Sequence, residues 1–283
     1  MSDAQLAQFV ETPPHVTREL LRRFDVPGPR YTSYPTADRF VEAFRSPDYE
    51  RALNARASGA AMVGGGTPLS LYVHIPFCES VCYYNKVITK HHSRAAEYLG
   101  ALDQEIDLHV ARLGRGQAVS QLHVGGGSPT FLSDAELERL MARLRASFKL
   151  LSDAEIAIEV DPRTVNEARL AHLARIGFNR LSFGVQDFDP EVQLAVHRVQ
   201  SLEMVERLMK ATRALGFQST NVDLIYGLPR QTPASLARTV AQVAALRPDR
   251  IALYHYAHLP QRFKPQRRIE VAALPPPEDK LTM

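Results

Sequence analysis

Apolar and β-branched residues recur along this chain in short runs, separated by longer amphipathic stretches. The runs lie at 69–75 (LSLYVHI), 121–124, 155–160, 180–185, 219–224 and 250–256. Their length and their content of Val, Ile, Leu, Tyr and Phe are those of strands. The stretches between them carry helix signals. Tyr98, Leu99, Leu102, Ile106 and Val110 share one face of a helix opened by Ser93 and closed by Gly114. Ser133 with Glu136 makes a capping box ahead of Leu137, Leu140, Met141 and Leu144. Thr164 with Glu167 reads as a second box, ahead of Leu170 and Leu173 and closed by Gly177. Ser201 opens a helix that ends at Gly216, and Thr232 with Pro233 opens one through Leu236, Val240 and Val243. Before residue 67 the pattern lapses. Helical pieces around 15–24 and 38–57 flank VPGPRYTSYPTADRF, and the glycines at 64–66 end an irregular arm.

Six β-α units in strict alternation predict a parallel sheet with helices outside it. An open doubly wound sheet and a partly closed barrel both satisfy the alternation. The polar residues favour the barrel, because they cluster at strand ends. Gly125–Ser128 follow the second strand, Glu159 and Asp161 end the third, and Gln186 follows the fourth. Asp223 ends the fifth, and His255–His258 end the sixth. In a β/α barrel these ends share one rim, the face that carries chemistry. The predicted organisation is an N-terminal arm over 1–66, a partial (β/α)6 barrel over 67–260 and a connecting segment over 261–283.

The chain has 283 residues, 45% hydrophobic and 23% charged, which excludes collagen-like, coiled-coil and disordered classes. No apolar run approaches the roughly 18 residues of a membrane span. The start, MSDAQLAQFVETPP, lacks a basic stretch followed by an apolar one. A cytoplasmic monomer that binds no membrane is expected. The net charge is only +3, and its one dense basic run is Arg262, Lys264, Arg267 and Arg268. That run reads as a solvated face, so no nucleic-acid partner is expected.

Cys78 and Cys82 are the only cysteines. Their Cys-x3-Cys spacing, on a loop after the first strand, sets two thiolates about one turn apart. Soft sulfur ligands suit zinc or an iron–sulfur cluster. A zinc site completed by His91 is the weaker reading. The surrounding motifs sharpen the choice. Tyr72, His74, Pro76 and Phe77 lead into the cysteine loop, and Asn85–Lys86 follow it. RYTSYPT at 30–36, QLHVGGGSPTFL at 121–132, IEVDPRT at 158–164, RLSFGVQDFD at 180–189, NVDLIYGLP at 221–229 and YHYAHLP at 254–260 come in order along the chain. With these motifs the chain resembles the radical SAM enzymes, and among them the oxygen-independent coproporphyrinogen III oxidases. The resemblance covers nearly the whole sequence.

The resemblance implies a [4Fe–4S] cluster held by three thiolates, with S-adenosylmethionine (SAM) on its open iron. It implies a reducing electron-donor protein, and coproporphyrinogen III as the substrate whose propionates become vinyl groups. Cys78 and Cys82 are the implied cluster ligands. Tyr72, Tyr84, Gly126, Gly127, Ser128, Glu159, Gln186, Arg198, Asp223 and Ala257 fall at the implied SAM-binding positions. The residue types agree. Gly126 and Gly127 let backbone approach an amine, and Glu159 suits an ammonium or a ribose diol. Arg198 suits a carboxylate, and Gln186 and Asp223 suit ribose hydroxyls or a second SAM. His74, on the same rim, reads as a packed core histidine. No catalytic side chain is assigned.

Two departures from the family pattern bear on activity. The family motif is Cys-x3-Cys-x2-Cys, and the oxidases add one more cysteine two residues on. Position 85 here is Asn. Aligning Tyr83–Tyr84 and Asn85–Lys86 with their counterparts leaves a loss of three residues, Cys-x-Cys. The family also continues into a C-terminal helical domain where this sequence ends in PPPEDKLTM. The expectation is a truncated copy, short of one cluster ligand and unable to turn over. The alternative is a haem- or SAM-binding relative without oxidase activity, similar to the haem chaperone that shares the core.

Overall fold

The computed structural model describes residues 39–59, 66–84, 88, 89, 92 and 94–283, with the separate positions 17, 19, 20, 23 and 36. Six strands form its main sheet: β1 (Leu69–Ile75), β2 (Gln117–Gly126), β3 (Phe148–Val160), β4 (Arg180–Gln186), β5 (Ser219–Tyr226) and β6 (Arg250–His255). Each pairs in parallel with the next, so spatial order equals chain order. A doubly wound sheet would need a reversal of strand order to bring helices to both faces. An unbroken order with right-handed crossovers keeps the helices on one side and curls the sheet. The fold is the partial barrel that the strand-end residues favoured.

The helices among the described residues are α1 (Ser46–Ala57), α2 (Arg94–Leu113), α3 (Asp134–Ser147), α4 (Glu167–Arg175), α5 (Pro190–Ala195), α6 (Leu202–Ala214), α7 (Pro233–Leu246) and α8 (Pro277–Thr282). Ser133 and Glu136 form the expected capping box on α3, and Thr232 with Ser235 forms one on α7. The box read at Thr164 is not formed. Asn166 caps α4, accepting from the Arg169 N–H at 2.9 Å. Thr164 closes a 3-10 turn instead, its hydroxyl donating to the Asp161 carbonyl at 3.0 Å. Strands β2 and β3 begin earlier than their apolar runs. Gln117–Val119 pair with Phe148–Leu150, so each strand is longer than the apolar run that marked it. Helix α5 is six residues long, too short to show a helical repeat.

Alternation along the strands sorts the two faces of the sheet. Ile156, Ile158 and Val160, with Leu181, Phe183, Val185, Val222 and Leu224, are buried against the helices. The concave face carries Glu155, Glu159, Arg180, Ser182, Asn221 and Asp223, all partly exposed or exposed. Branched apolar side chains would fill that face in a closed barrel. Here it is polar.

Two flanking parts complete the body. From the predicted arm, α1 lies on α2, joined by an Arg112–Glu50 ion pair at 2.7 Å and an edge-on Tyr49–His109 contact. The helical piece read around 15–24 and the glycines at 64 and 65 lie mostly outside the described residues. The segment 261–283, read as a connector, is folded onto the barrel. Ile269 is buried with Val192, Val196, Leu228 and Tyr256, and the Arg230 N–H donates to the Ala273 carbonyl at 2.6 Å. Arg262, Lys264, Arg267 and Arg268 are exposed on it, as a solvated face requires. Among the described residues no helix is long and apolar enough to cross a membrane.

Asp187 fastens the exit of β4 to α7. It accepts from Gln231 Nε2, from the Thr239 hydroxyl at 2.8 Å and from the Asp189 N–H at 2.6 Å. Burial raises its carboxyl above the ordinary value, and these donors hold part of that rise back. Asp187→Ala leaves buried donors unpaired, at a cost of roughly 3 kcal/mol. The expected result is a lower urea midpoint with an unchanged slope. A midpoint within error of the parent would show that the fastening is not needed.

Candidate active site

The C-terminal ends of β2 to β5 and the loop after β1 enclose a cleft of about 120 Å³. Cys78, Cys82, Tyr84, Gly126, Gly127, Ser128, Glu159, Gln186, Arg198 and Asp223 all line it. Widely separated parts of the sequence thus meet at one mouth. Tyr72 and Ala257 do not line it.

The Gly126–Ser128 strip is threaded between the exit of β1 and Glu159. Gly127 and Ser128 donate their N–H groups to Ile75 and Phe77 carbonyls, each at 2.8 Å. The Gly126 N–H donates to Glu159 Oε2 at 3.1 Å. A Cβ on Gly126 would lie 2.7 Å from the Ile75 carbonyl oxygen, and one on Gly127 2.6 Å from that of Phe77. Gly126 also has φ +121°, which L side chains rarely adopt. The missing side chains therefore answer first to packing within the chain, and only the backbone faces the cleft.

Glu159 is held on its other oxygen by His123 Nε2 at 3.0 Å. The Tyr72 ring stacks on His123 at 5.7 Å, and its hydroxyl pairs with His74 Nδ1 at 2.9 Å. Tyr72 thus stands outside the cleft but braces the histidine that braces Glu159. His74 is exposed on the concave face and is not the core histidine expected. Asp223 accepts from the Ser182 hydroxyl at 2.9 Å and from Asn221 Nδ2 at 2.7 Å. Burial pushes its carboxyl up to about 6; the Ser182 bond opposes this and the Glu159 charge adds to it.

Gln186 has φ +70°, in the left-handed region, where a non-glycine residue is uncommon. The β4–β5 register shifts there, and this local irregularity re-aims the side chain. Gly184 makes the room: a Cβ on it would lie 3.0 Å from Gln186 Nε2 and 3.1 Å from Arg198 Nη2. Arg198 is 6% exposed. It donates to the Gly184 carbonyl at 2.5 Å, to Asp161 Oδ2 at 3.1 Å and to Cys82 Sγ at 3.5 Å.

Arg163 was not among the expected site residues, yet its Nη2 also reaches Cys82 Sγ at 3.5 Å and Asp161 Oδ2 at 2.7 Å. Burial alone would raise the Asp161 carboxyl, but hydrogen bonds from Arg163 and the charge of Arg198 hold it below the ordinary value. The only sequence signal was the Asp161-Pro162-Arg163 turn, and nothing in its pattern showed that Arg163 folds back onto Cys82. Burial pushes the Cys78 thiol up to about 12, with Cys82 and Asp161 adding and the two arginines opposing. Burial likewise raises the Tyr84 hydroxyl.

The thiol loop is clamped from below. Tyr83 donates its N–H to the Val196 carbonyl at 2.9 Å, and its ring stacks on His197 at 5.1 Å. His197 Nδ1 pairs with the Val81 carbonyl at 3.0 Å. Gln266 Nε2 donates to the carbonyls of Tyr84 and Ala257, each at 3.1 Å. Ala257 thus takes part through its backbone in holding the loop.

The donor set decides which groups the cleft suits. Only two thiols are present in the chain. Among the described residues no group of three or more His, Cys, Asp or Glu side chains is arranged to hold a metal ion. Asn85 and His91 lie outside the described residues. A cluster that calls for three thiolates does not fit this set. A cation with hydroxyls and a carboxylate, such as SAM, fits better. Glu159 and Asp223 offer carboxylates, and the buried Arg198 guanidinium keeps its Nε without a partner.

Comparison with known proteins bears on the same residues. The oxygen-independent coproporphyrinogen III oxidase of Pseudomonas aeruginosa is 53% identical over 94% of this chain and 57% of its own length. That of Escherichia coli is 50% identical over 93% of this chain and 56% of its own. The solved structure of the Escherichia coli coproporphyrinogen III oxidase, described as a radical SAM enzyme, matches with a TM-score of 0.81 at 50% identity. The match covers 89% of this chain and 57% of that one. The chain therefore spans somewhat more than half the length of these relatives. The family model described as the radical SAM superfamily matches residues 72–243, which contain every residue lining the cleft. With well over half its length inside that match, the chain belongs to the radical SAM superfamily.

Proposed function

We propose that this chain carries the SAM-binding barrel of an oxygen-independent coproporphyrinogen III oxidase, an oxidoreductase of haem biosynthesis. One observation carries the reading. The strand-end residues of a chain 53% identical to such an oxidase converge on a single polar cleft beside two cysteines. The proposal brings with it coproporphyrinogen III, a reducing electron-donor protein, a monomeric state and a cytoplasmic place. The matched relatives named above are oxidases, so the haem-binding alternative is not favoured.

In this reading Glu159 and Asp223 face the cationic and hydroxyl-bearing parts of SAM, and Arg198 takes its carboxylate. Gln186 completes the ribose contacts, while the Gly126–Ser128 backbone lines the opposite wall. Bound SAM would supply the radical chemistry of the family. Cys78 and Cys82 alone fall one thiolate short of such a cluster, and the chain as it stands is proposed not to turn over.

Two measurements test the two halves. SAM should bind in equilibrium dialysis, and Glu159→Gln should weaken it roughly tenfold through the lost charge-assisted contact. No measurable binding by the parent chain would sink the SAM-cleft reading. Anaerobic reconstitution with iron and sulfide should leave well under one [4Fe–4S] per chain, and no 5′-deoxyadenosine should form on reduction. Four irons per chain with a reducible signal and SAM cleavage would overturn the cluster deficiency.

A further inference from the structure

A second cavity, of about 600 Å³, occupies the concave face of the sheet and shares Glu159, Ser182 and Asp223 with the thiol-lined cleft. Arg180 and Arg250 line it at its other end. They are the first residues of β4 and β6, so they sit on the N-terminal side of the sheet, away from the rim. The face is polar where a closed barrel is apolar. This space is built to hold water or a polar ligand.

Charge divides the cavity. Two carboxylates, Glu159 and Asp223, stand toward the rim, and two guanidiniums stand toward the floor. Ser182, Asn221 and Arg250 form one row across β4, β5 and β6. Neighbouring strands are about 4.8 Å apart, so the Arg250 backbone lies roughly 10 Å from that of Ser182. Arg180 stands two residues before Ser182 on the same face. Its Nη2 donates to Glu155 Oε1 at 2.7 Å, while its buried Nε has no partner. Arg250 is exposed, and no ion pair forms on it among the described residues.

We propose that Arg180 and Arg250 form a carboxylate-binding subsite that anchors propionate arms of the substrate. The choice of a porphyrinogen as ligand rests on the proposed function; the carboxylate chemistry rests on the guanidiniums themselves. A guanidinium is always charged, and its planar fork meets a carboxylate at two points. Glu159 and Asp223 repel a carboxylate placed near the rim, so the charge pattern orients a ligand that bears several of them. A macrocycle with propionates spaced around its edge can reach both arginines at once.

The test uses coproporphyrin III, the stable oxidised form, and its methyl ester, titrated by fluorescence into the full chain. Tricarballylate serves as a small carboxylate probe. The parent should bind the free acid more tightly than the ester. Arg250→Gln should weaken the acid roughly ten- to hundredfold, the worth of a lost charge-assisted pair, with SAM affinity unchanged. Arg180→Gln also breaks the Glu155 pair, so its melting temperature is recorded beside its affinity, and the exposed Arg250 decides. Porphyrin binding as tight in Arg250→Gln as in the parent overturns the subsite and leaves the oxidase reading standing. If porphyrin fails to bind while tricarballylate binds in an Arg250-dependent way, the subsite stands and the porphyrinogen reading falls. If neither binds, both fall.

Discussion

Inserting Cys-Ala-Cys between Tyr84 and Asn85 is expected to raise the iron retained after anaerobic reconstitution from a small fraction of a cluster to about four atoms per chain. On the proposed alignment the insertion supplies a third soft ligand beside Cys78 and Cys82. The loop that carries the two cysteines is already fixed. Tyr83, His197 and Gln266 hold the loop on the near side of the insertion point. Arg163 and Arg198 each bring a guanidinium to 3.5 Å from Cys82 Sγ, which would offset the negative charge of a thiolate-bound cluster. The insertion falls outside the six-stranded sheet, where added length is tolerated. The melting temperature should therefore stay close to that of the parent. Iron and sulfide analysis, with the electron paramagnetic resonance of the reduced sample, gives the answer. Unchanged iron would mean that the cysteine loop is aligned wrongly and that no Cys-x-Cys has been lost.

The barrel was legible because its two signals are local and repeated. Apolar runs marked each strand, and capping residues such as Ser133, Ser201 and Thr232 marked helix starts. The convergence of Glu159, Gln186 and Asp223 was legible for a topological reason: parallel strands in chain order put every C-terminal end on one rim. What was not legible depends on side chains crossing between elements. Thr164 lost the cap of α4 to Asn166 because its hydroxyl was already engaged by the Asp161 turn. Arg163 entered the site through that same turn, which no periodicity announces. The glycines at 126 and 127 were read for a ligand, yet the Ile75 and Phe77 carbonyls already fill the space of their side chains. Tyr72 reaches the cleft only through His123, a stacking contact between neighbouring strands that the spacing of residues does not encode.

Asp223→Asn is expected to stabilise the fold at neutral pH while weakening SAM binding. The carboxyl of Asp223 rises from an ordinary 3.8 to about 6 in the folded chain, chiefly through burial, with the charge of Glu159 adding to it. A raised folded value means that folding takes up a proton. The stability tied to that proton is fully present below pH 3.8 and is lost as the pH climbs through about 6. Above pH 7 the ionised Asp223 therefore costs about 3 kcal/mol, since each tenfold change in proton affinity is worth about 1.4 kcal/mol. An amide keeps the shape, still accepts from Asn221 and carries no charge to desolvate. Urea melts should show the variant close to the parent at pH 4 and more stable at pH 7.5. Glu159→Gln should recover part of the same gain by removing the neighbouring charge. SAM affinity should fall roughly tenfold in Asp223→Asn, because a neutral amide replaces the carboxylate proposed to face the ligand. A variant less stable than the parent at pH 7.5 would show that Asp223 is ionised at no cost and fastens β5 to β4 through Ser182. A gain in stability without loss of SAM binding would remove Asp223 from the ligand site. The expected pair, stability gained and ligand lost, is the mark of a charge held in place for binding at the expense of the fold.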